Sequence, residues 1–271
     1  MAVNYGPNRY DVVGSFLRPA KLKKAREDFS AGAIDAAALK AVEDECITDL
    51  IAKEKKAGLR FITDGEFRRA TWHLDFMWAF EGIGHSTTED GLPFHDEAAK
   101  IDDTYLTGKI SLAGEHPFVE HFRFVQSFED ENTTAKLTIP APAQFIEQFI
   151  MPMNRKATDA AYGSDALLED DIVAAYLAFI EQVHAAGCRN LQFDDCSWGC
   201  LVDPKAELFF GTDQAGLARI KETLLRVNNR VLDAVPADLC INTHVCRGNF
   251  HSTWACEGGY DDVADALLAN E

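Results

Sequence analysis

A helical run, an Ala-Gly-x-Arg junction, a short apolar strand and an aspartate occur twice in this chain, and this echo constrains the fold more than any other feature. The first copy runs from Ala57-Gly58-Leu59-Arg60 into Phe61-Ile62-Thr63-Asp64. The second runs from Ala186-Gly187-Cys188-Arg189 into Asn190-Leu191-Gln192-Phe193-Asp194. Leu39, Val42, Cys46, Leu50, Ile51 and Ala57 precede the first at helical spacing. Leu168, Ile172, Tyr176, Phe179 and Val183 precede the second, with Ser164 placed as an N-cap. The glycine at each junction stands where a helix commonly stops. Each copy is therefore a helix feeding a buried strand that delivers polar groups at its C-terminal end, the repeating unit of a parallel sheet.

The rest of the chain extends that alternation. Residues 10–16 form a β-rich run turned by Pro19, and residues 20–34 carry a helical pattern broken by Gly32. Residues 81–104, rich in Gly, Asp, Glu and His, read as a long loop or insertion. Residues 105–113, 119–128 and 134–139 read as strands, and 196–211 as a loop. Thr212 is expected to cap a helix carrying Leu217, Ile220, Leu224, Val227 and Val231, and residues 260–269 form a last helix. Strands alternating with helices predict a parallel α/β architecture, either an eight-fold barrel or an open doubly wound sheet. No Gly-x-Gly-x-x-Gly follows the first strand, which counts against a dinucleotide-binding sheet. Polar residues at several strand ends suit a TIM (β/α)8-type barrel, and we expect residues 1–271 to form one such domain. About six barrel strands can be counted where closure needs about eight. The expectation is a barrel lacking its last one or two βα units in this chain, whose free edge would favour self-association.

The balance of charges narrows the partners. With 26 Lys and Arg against 44 Asp and Glu the net charge is −18, which disfavours nucleic acid and anionic membrane. No run approaches the ~18 apolar residues of a membrane span. The seven cysteines are an odd number without a Cys-x-x-Cys pair, which points to a reducing compartment. The opening Met1-Ala2-Val3-Asn4-Tyr5-Gly6-Pro7 lacks the basic and apolar regions of a secretory leader. We expect a cytoplasmic protein, with homo-oligomerisation left open.

The richest chemistry lies in Ile241-Asn242-Thr243-His244-Val245-Cys246. Residues i and i+2 of a strand share a face, so His244 and Cys246 project side by side from its C-terminal end. Imidazole and thiolate are both good Zn²⁺ ligands. The plainer reading is a core histidine beside a buried cysteine, since free cysteine is among the most buried residue types.

Four motifs in order, Val13-Gly14-Ser15-Phe16-Leu17-Arg18-Pro19, Thr63-Asp64-Gly65-Glu66, Leu191-Gln192-Phe193-Asp194 and His244-Val245-Cys246, together resemble the cobalamin-independent methionine synthase family, especially its short single-barrel members. The resemblance runs from about Tyr10 to Glu271. It implies a zinc-dependent transfer of a methyl group, from a methyltetrahydrofolate-type donor to a thiol such as homocysteine. It assigns His244 and Cys246 to zinc. Val13, Gly14 and Ser15 match the family's cradle for the amino acid, Glu66 the carboxylate that holds the amino group, and Asp194 the catalytic acid that contacts the same substrate end. The alternatives for these residues are a solvated Glu66 paired with Arg68 or Arg69, an Asp194 that caps the following loop, and a Ser15 that is only a turn hydroxyl. The family's remaining ligands, a glutamate and a later cysteine, have no counterpart here. Cys196, Cys200, Cys256 and Glu257 do not match them by position. The segment Ile139-Pro140-Ala141-Pro142-Ala143-Gln144-Phe145, near which the family stacks an aromatic on folate, has no Trp.

Three rivals follow. One is a zinc-dependent alkyltransferase for another thiol or donor. Another is a metal-free barrel lyase or decarboxylase in which His244 acts as acid or base. The third is a non-catalytic binding protein or fragment lacking the later zinc ligands.

Overall fold

The computed structural model describes residues 11–88, 92–93, 98–99 and 101–271. Helix α1 (Ala20–Ser30) starts directly after Pro19, and residues 11–19 contain no strand. The β-rich run expected there is an extended arm instead, and Tyr10 lies outside the described residues. Helix α2 (Ala36–Lys56) is capped by Asp35, which accepts from the Ala38 amide at 2.8 Å. It ends at Ala57 and Gly58, the latter at φ 81°, and hands the chain to β1 (Phe61–Ile62) as the echo predicts.

Helix α3 (Leu74–Met77) precedes β2 (Glu81–Ser86), the short β3 (Leu92–Pro93) and β4 (Ala98–Ala99), and β5 (Asp103–Ser111). The expected loop at 81–104 thus carries strands, since β2 pairs antiparallel with β5 and β3 with β4; residues 89–91, 94–97 and 100 lie outside the described residues. Residues 119–128, expected as a strand, belong to helix α4 (Pro117–Gln126). Pro117 sits at its start behind His116, whose ring accepts from the Phe118 amide at 3.1 Å. Phe118, Val119, Phe122 and Val125 form its buried side at helical rather than alternating spacing.

Strands β6 (Thr134–Ala135) and β7 (Leu137–Pro140) lead to α5 (Pro142–Ile150), α6 (Pro152–Ala161) and the long α7 (Asp165–Ala185). Ser164 holds the N-cap position of α7 without a side-chain capping bond. Then come β8 (Asn190–Asp195), α8 (Ser197–Leu201), α9 (Ala206–Phe210), α10 (Gln214–Leu232), β9 (Cys240–Val245) and α11 (Ala264–Ala269). Residues 196–211, expected as a loop, therefore carry two short helices.

The cap of α10 is Asp213, not Thr212: the Asp213 carboxylate accepts from the Gly216 amide at 2.8 Å. Replacing Asp213 with alanine should cost about 1 kcal/mol of stability, read as a lower urea midpoint at unchanged slope. Thr212→Ala should leave that midpoint in place.

The sheet is parallel where the echo requires it. Strand β1 pairs with β6, and the Lys136 amide donates to Ile62 O at 3.0 Å, carrying the ladder toward β7. Strand β7 pairs with β8, and β8 with β9, all parallel. The described residues thus form four parallel staves, β1, β6–β7, β8 and β9, rather than the six counted from sequence. Among the described residues a closed eight-stranded barrel is not formed. Three runs read as strands do not join the parallel ladder: residues 11–16 form no strand, 105–111 belong to the antiparallel β5, and 119–126 are helical. The staves and their helices bury one continuous apolar core from Leu22 to Leu239, with Phe76 fully buried against the rings of Phe80, Phe118, Phe145, Tyr176 and Phe179. Among the described residues no helix is long and apolar enough to cross a membrane.

Candidate functional site

The site forms at the C-terminal ends of the parallel staves, where the βα architecture leaves side chains facing the loops. Strands β8 and β9 run in register with Asp194 opposite His244 and Asp195 opposite Val245. Both strand-end motifs are therefore brought together by backbone pairing alone. Gln192, two residues before Asp194 on the same face, donates from Nε2 to Asp194 Oδ1 and to Val13 O, each at 2.5 Å. Asp194 is buried, and its carboxyl is pushed up to about 7, first by desolvation and then by the nearby Glu66. The loop cap considered for Asp194 belongs to its neighbour, since Asp195 accepts from the Ser197 amide at 3.1 Å.

The arm at residues 11–18 crosses these strand ends and is tied down from below. Lys136, 3% exposed, donates to Asp11 Oδ2 at 2.7 Å, to Gln192 Oε1 at 3.0 Å and to Val12 O. The Phe16 amide donates to Gly65 O at 3.2 Å. Arg18 donates to the carbonyls of Glu66 and Arg69 at 3.1 and 2.9 Å. Gly14 faces Glu66: a Cβ placed on Gly14 would stand 4.0 Å from Glu66 Oε1. Val13, Gly14, Glu66 and Asp194 are thus gathered, whereas Ser15 sits exposed on the arm.

Glu66 is not a solvated acid. It is 3% exposed and stands on a sharp turn in which Gly65 and Glu66 both take positive φ, 61° and 58°. Such a conformation is uncommon for a non-glycine residue and marks a position fixed by its surroundings. Asp64 Oδ1 accepts the Glu66 amide at 2.8 Å, Thr138 Oγ1 donates to Glu66 Oε1 at 3.1 Å, and Arg69 Nη1 lies 3.4 Å from the same oxygen. Of the two arginines weighed as its partner, Arg69 is the one. Arg68 pairs with Glu43 and Asp44.

The His244 imidazole and the Cys246 sulfur lie near enough to shift one another's protonation. The Cys196 thiol lies 3.0 Å from the same sulfur. Bonds from Cys196 and His244 and from the Gly248 amide, 3.4 Å away, bring the Cys246 thiol down to about 4 against the opposing effect of burial. The bond to Cys246 correspondingly raises His244. The pair favours the thiolate form of Cys246, the form that acts as nucleophile or metal ligand, while His244 would bind a metal only after releasing its proton.

These donors suit zinc in kind, and two of them are in place. Two thiolates at ~2.3 Å in a tetrahedral zinc site stand ~3.8 Å apart, farther than the Cys196–Cys246 separation, so Cys196 is spaced as a bonded thiol rather than a co-ligand. Among the described residues no group of three or more His, Cys, Asp or Glu side chains is arranged to hold a metal.

A second layer supports this corner. Asn228, fully buried, donates to Asp195 Oδ2 at 2.9 Å and accepts from the Ala143 amide at 2.9 Å. Gln144 accepts from the Cys196 amide at 3.2 Å and donates to buried Glu147 at 2.6 Å. Sequence reasoning missed Lys136, Gln192, Arg69, Gln144, Glu147 and Asn228 as site residues. Only Gln192 carried a usable signal, its period-2 spacing from Asp194 on a predicted strand. Cys196 was weighed and set aside because it does not match the family's remaining ligands by position. The β8–β9 register is what brings it to Cys246.

The fold and the site define a parallel α/β scaffold with a thiol-imidazole pair and two buried carboxylates at one strand-end face. No protein-family model matches the chain. It is 37% identical over 265 residues to the uncharacterized protein YxjH of Bacillus subtilis (strain 168), an alignment covering 97% of this chain and 67% of that protein. The uncharacterized protein YxjG of the same strain is 36% identical over 266 residues, covering 97% and 68%. The chain thus spans about two thirds of these relatives. A solved structure from Listeria monocytogenes, provisionally assigned as a vitamin-B12 independent methionine synthase, is similar with TM-score 0.74 and 32% identity, covering 97% of this chain and 70% of that one. A B12-independent methionine synthase from Shewanella sp. W3-18-1, in complex with selenomethionine, is similar in fold with TM-score 0.56 and 17% identity, covering 79% and 54%. The chain belongs to the family of vitamin-B12 independent methionine synthase-like proteins that the Listeria structure represents.

Proposed function

We propose that this chain carries the thiol-binding face of a zinc-dependent S-methyltransferase, on a TIM-type barrel, that moves a methyl group from a methyltetrahydrofolate-type donor to an amino-acid thiol such as homocysteine. The observation that carries this reading is the convergence of His244 and Cys246 with Asp194 and Glu66 at one end of adjoining parallel strands. The names of the two structural neighbours support the reaction class.

His244 and Cys246 would hold zinc through one imidazole nitrogen and one thiolate. The metal, when bound, turns a substrate thiol into a thiolate at neutral pH and fixes its sulfur. Glu66 and Asp194 would take the ammonium end of the substrate, and Val13 and Gly14 would border it with backbone groups. Val13 O already serves as an acceptor in that position, for Gln192. Asp194 binds an ammonium best when ionised, so substrate affinity should strengthen as pH rises through about 7. Opposite charge at this end selects a zwitterionic thiol over an uncharged one.

The test is zinc stoichiometry and methionine formation from homocysteine and methyltetrahydrofolate, followed by mass spectrometry. Cys246→Ser and His244→Ala should each lose bound zinc, and Glu66→Gln should keep the metal but bind homocysteine more weakly. Wild-type zinc content in both ligand variants would refute the metal assignment. Transfer to a different thiol, with zinc dependence intact, would favour the alkyltransferase alternative.

A further inference from the structure

We propose that Cys196 and Cys246 form an oxidisable dithiol, closed to a disulfide by a hydroperoxide, that takes Cys246 out of the metal- and thiol-handling site. Its effect on the site rests on the function proposed above, whereas the bond itself rests on geometry alone. Cys196 and Cys246 each follow directly on the Asp195–Val245 pair of the β8–β9 ladder. The pairing ends there: Cys196 is the N-cap of α8, with φ −82° and ψ −11°, and Cys246 lies just past the end of β9. Their sulfurs are 3.0 Å apart, so closing the bond needs about 1 Å of approach. Both are free and partly accessible.

The surroundings hold the two sulfurs together. The Cys196 amide is fixed by Gln144, and the following turn by Asp195. Helix α8 is pressed on the exit of β9: a Cβ on Gly199 would come within 2.5 Å of Cys246 O. One turn further along α8, Cys200 faces Cys256 with sulfurs 3.3 Å apart, but both are buried in a satellite core with Ala206, Phe210 and Leu217. The same helix thus meets the 246–256 segment through two thiol pairs, of which only the first is open to a solute.

The chemistry balances with one named oxidant. The Cys246 sulfur attacks hydrogen peroxide, the O–O bond breaks, and a sulfenic acid and water result. The Cys196 sulfur then attacks that sulfenic sulfur, the S–S bond forms, and the oxygen leaves as a second water. Two thiols lose two hydrogens and two electrons, and one peroxide becomes two waters.

The whole chain, freed of metal with a chelator, would be exposed to hydrogen peroxide, quenched with N-ethylmaleimide under denaturing conditions, and mapped by mass spectrometry. The expected result is a Cys196–Cys246 linked peptide lacking two hydrogens, reversed by dithiothreitol, with Cys46, Cys188, Cys200, Cys240 and Cys256 still alkylated. Cys196→Ser should instead drive Cys246 to sulfinic and sulfonic acid, and Cys256→Ser should leave the link intact. Accumulation of oxidised Cys246 in wild type with no link would overturn the proposal, as would prior linkage of Cys200 to Cys256. These readouts do not involve methyl transfer. A chain that links as expected but transfers no methyl group would count against the proposed function only.

Discussion

Replacing Arg69 with methionine is expected to destabilise the chain by about 3–5 kcal/mol, the range found when one member of a buried ion pair is removed. Arg69 is 1% exposed and sits beneath the Glu66 carboxylate. Its guanidinium donates to Thr138 O at 2.6 Å, to Thr138 Oγ1 at 3.1 Å and to Trp72 O at 3.2 Å. It also lies 4.6 Å over the Phe118 ring. One side chain thus joins the turn at 65–66, the segment before α3, β7 and α4. Methionine keeps much of the apolar volume against Phe118, so the loss reports the charge and its hydrogen bonds rather than a cavity. What remains is a carboxylate at 3% exposure to which, among the described residues, Thr138 alone donates, and two carbonyls without this donor. Urea unfolding gives the direct measurement, and homocysteine binding should weaken alongside because Glu66 loses its fixed position. A loss below about 1 kcal/mol would mean that Glu66 draws its compensation from elsewhere, with Arg18, already bonded to Glu66 O, the nearest candidate.

The contrast between Arg69 and His244 explains what could be read from the chain unaided. His244 and Cys246 share one strand, so a two-residue period suffices to place them together. The echo at Gly58 and Gly187 marks helix ends and buried strands through local rules, and β1 and β8 follow from it. Arg69 reaches Thr138 across 69 positions, and Cys196 reaches Cys246 across 50. Those contacts depend on which staves adjoin and in what register, and no local pattern encodes that. The same gap produced the mistaken strand at 119–128. Val119, Phe122, Phe124 and Val125 satisfy a β-rich composition and a helical stripe alike, and the packing of Phe118 on Phe76 and of His116 on Phe179 selects the helix. Glu66 was read as a motif, but its burial and its strained turn come from packing around Gly65, where a Cβ would meet Leu50 Cδ2 at 2.4 Å.

Glu147→Gln is expected to make the chain more stable at pH 8 by up to about 3 kcal/mol while leaving it unchanged near pH 4. Glu147 is 2% exposed beneath Cys200 and Cys196, and desolvation pushes its carboxyl from 4.5 up to about 7. Unfolding returns it to the ordinary value, so between about pH 4.5 and 7 the folded chain holds a proton that the unfolded chain has released. Stability tied to this group is therefore complete in acid and is lost as pH rises through 7. Glutamine matches the neutral carboxyl in shape and can still accept from Gln144 Nε2, which now stands 2.6 Å away. It removes only the cost of ionising a buried acid. Glu54 and Asp194 are also raised to about 7, each chiefly by desolvation, so the variant should retain part of the slope. Urea midpoints of wild type and variant at pH 5 and 8 measure the difference: the two curves should converge in acid and separate in base. Parallel curves across that range would place the titration of Glu147 at its ordinary value, and with it a hydrated rather than a dry floor beneath the thiol pairs.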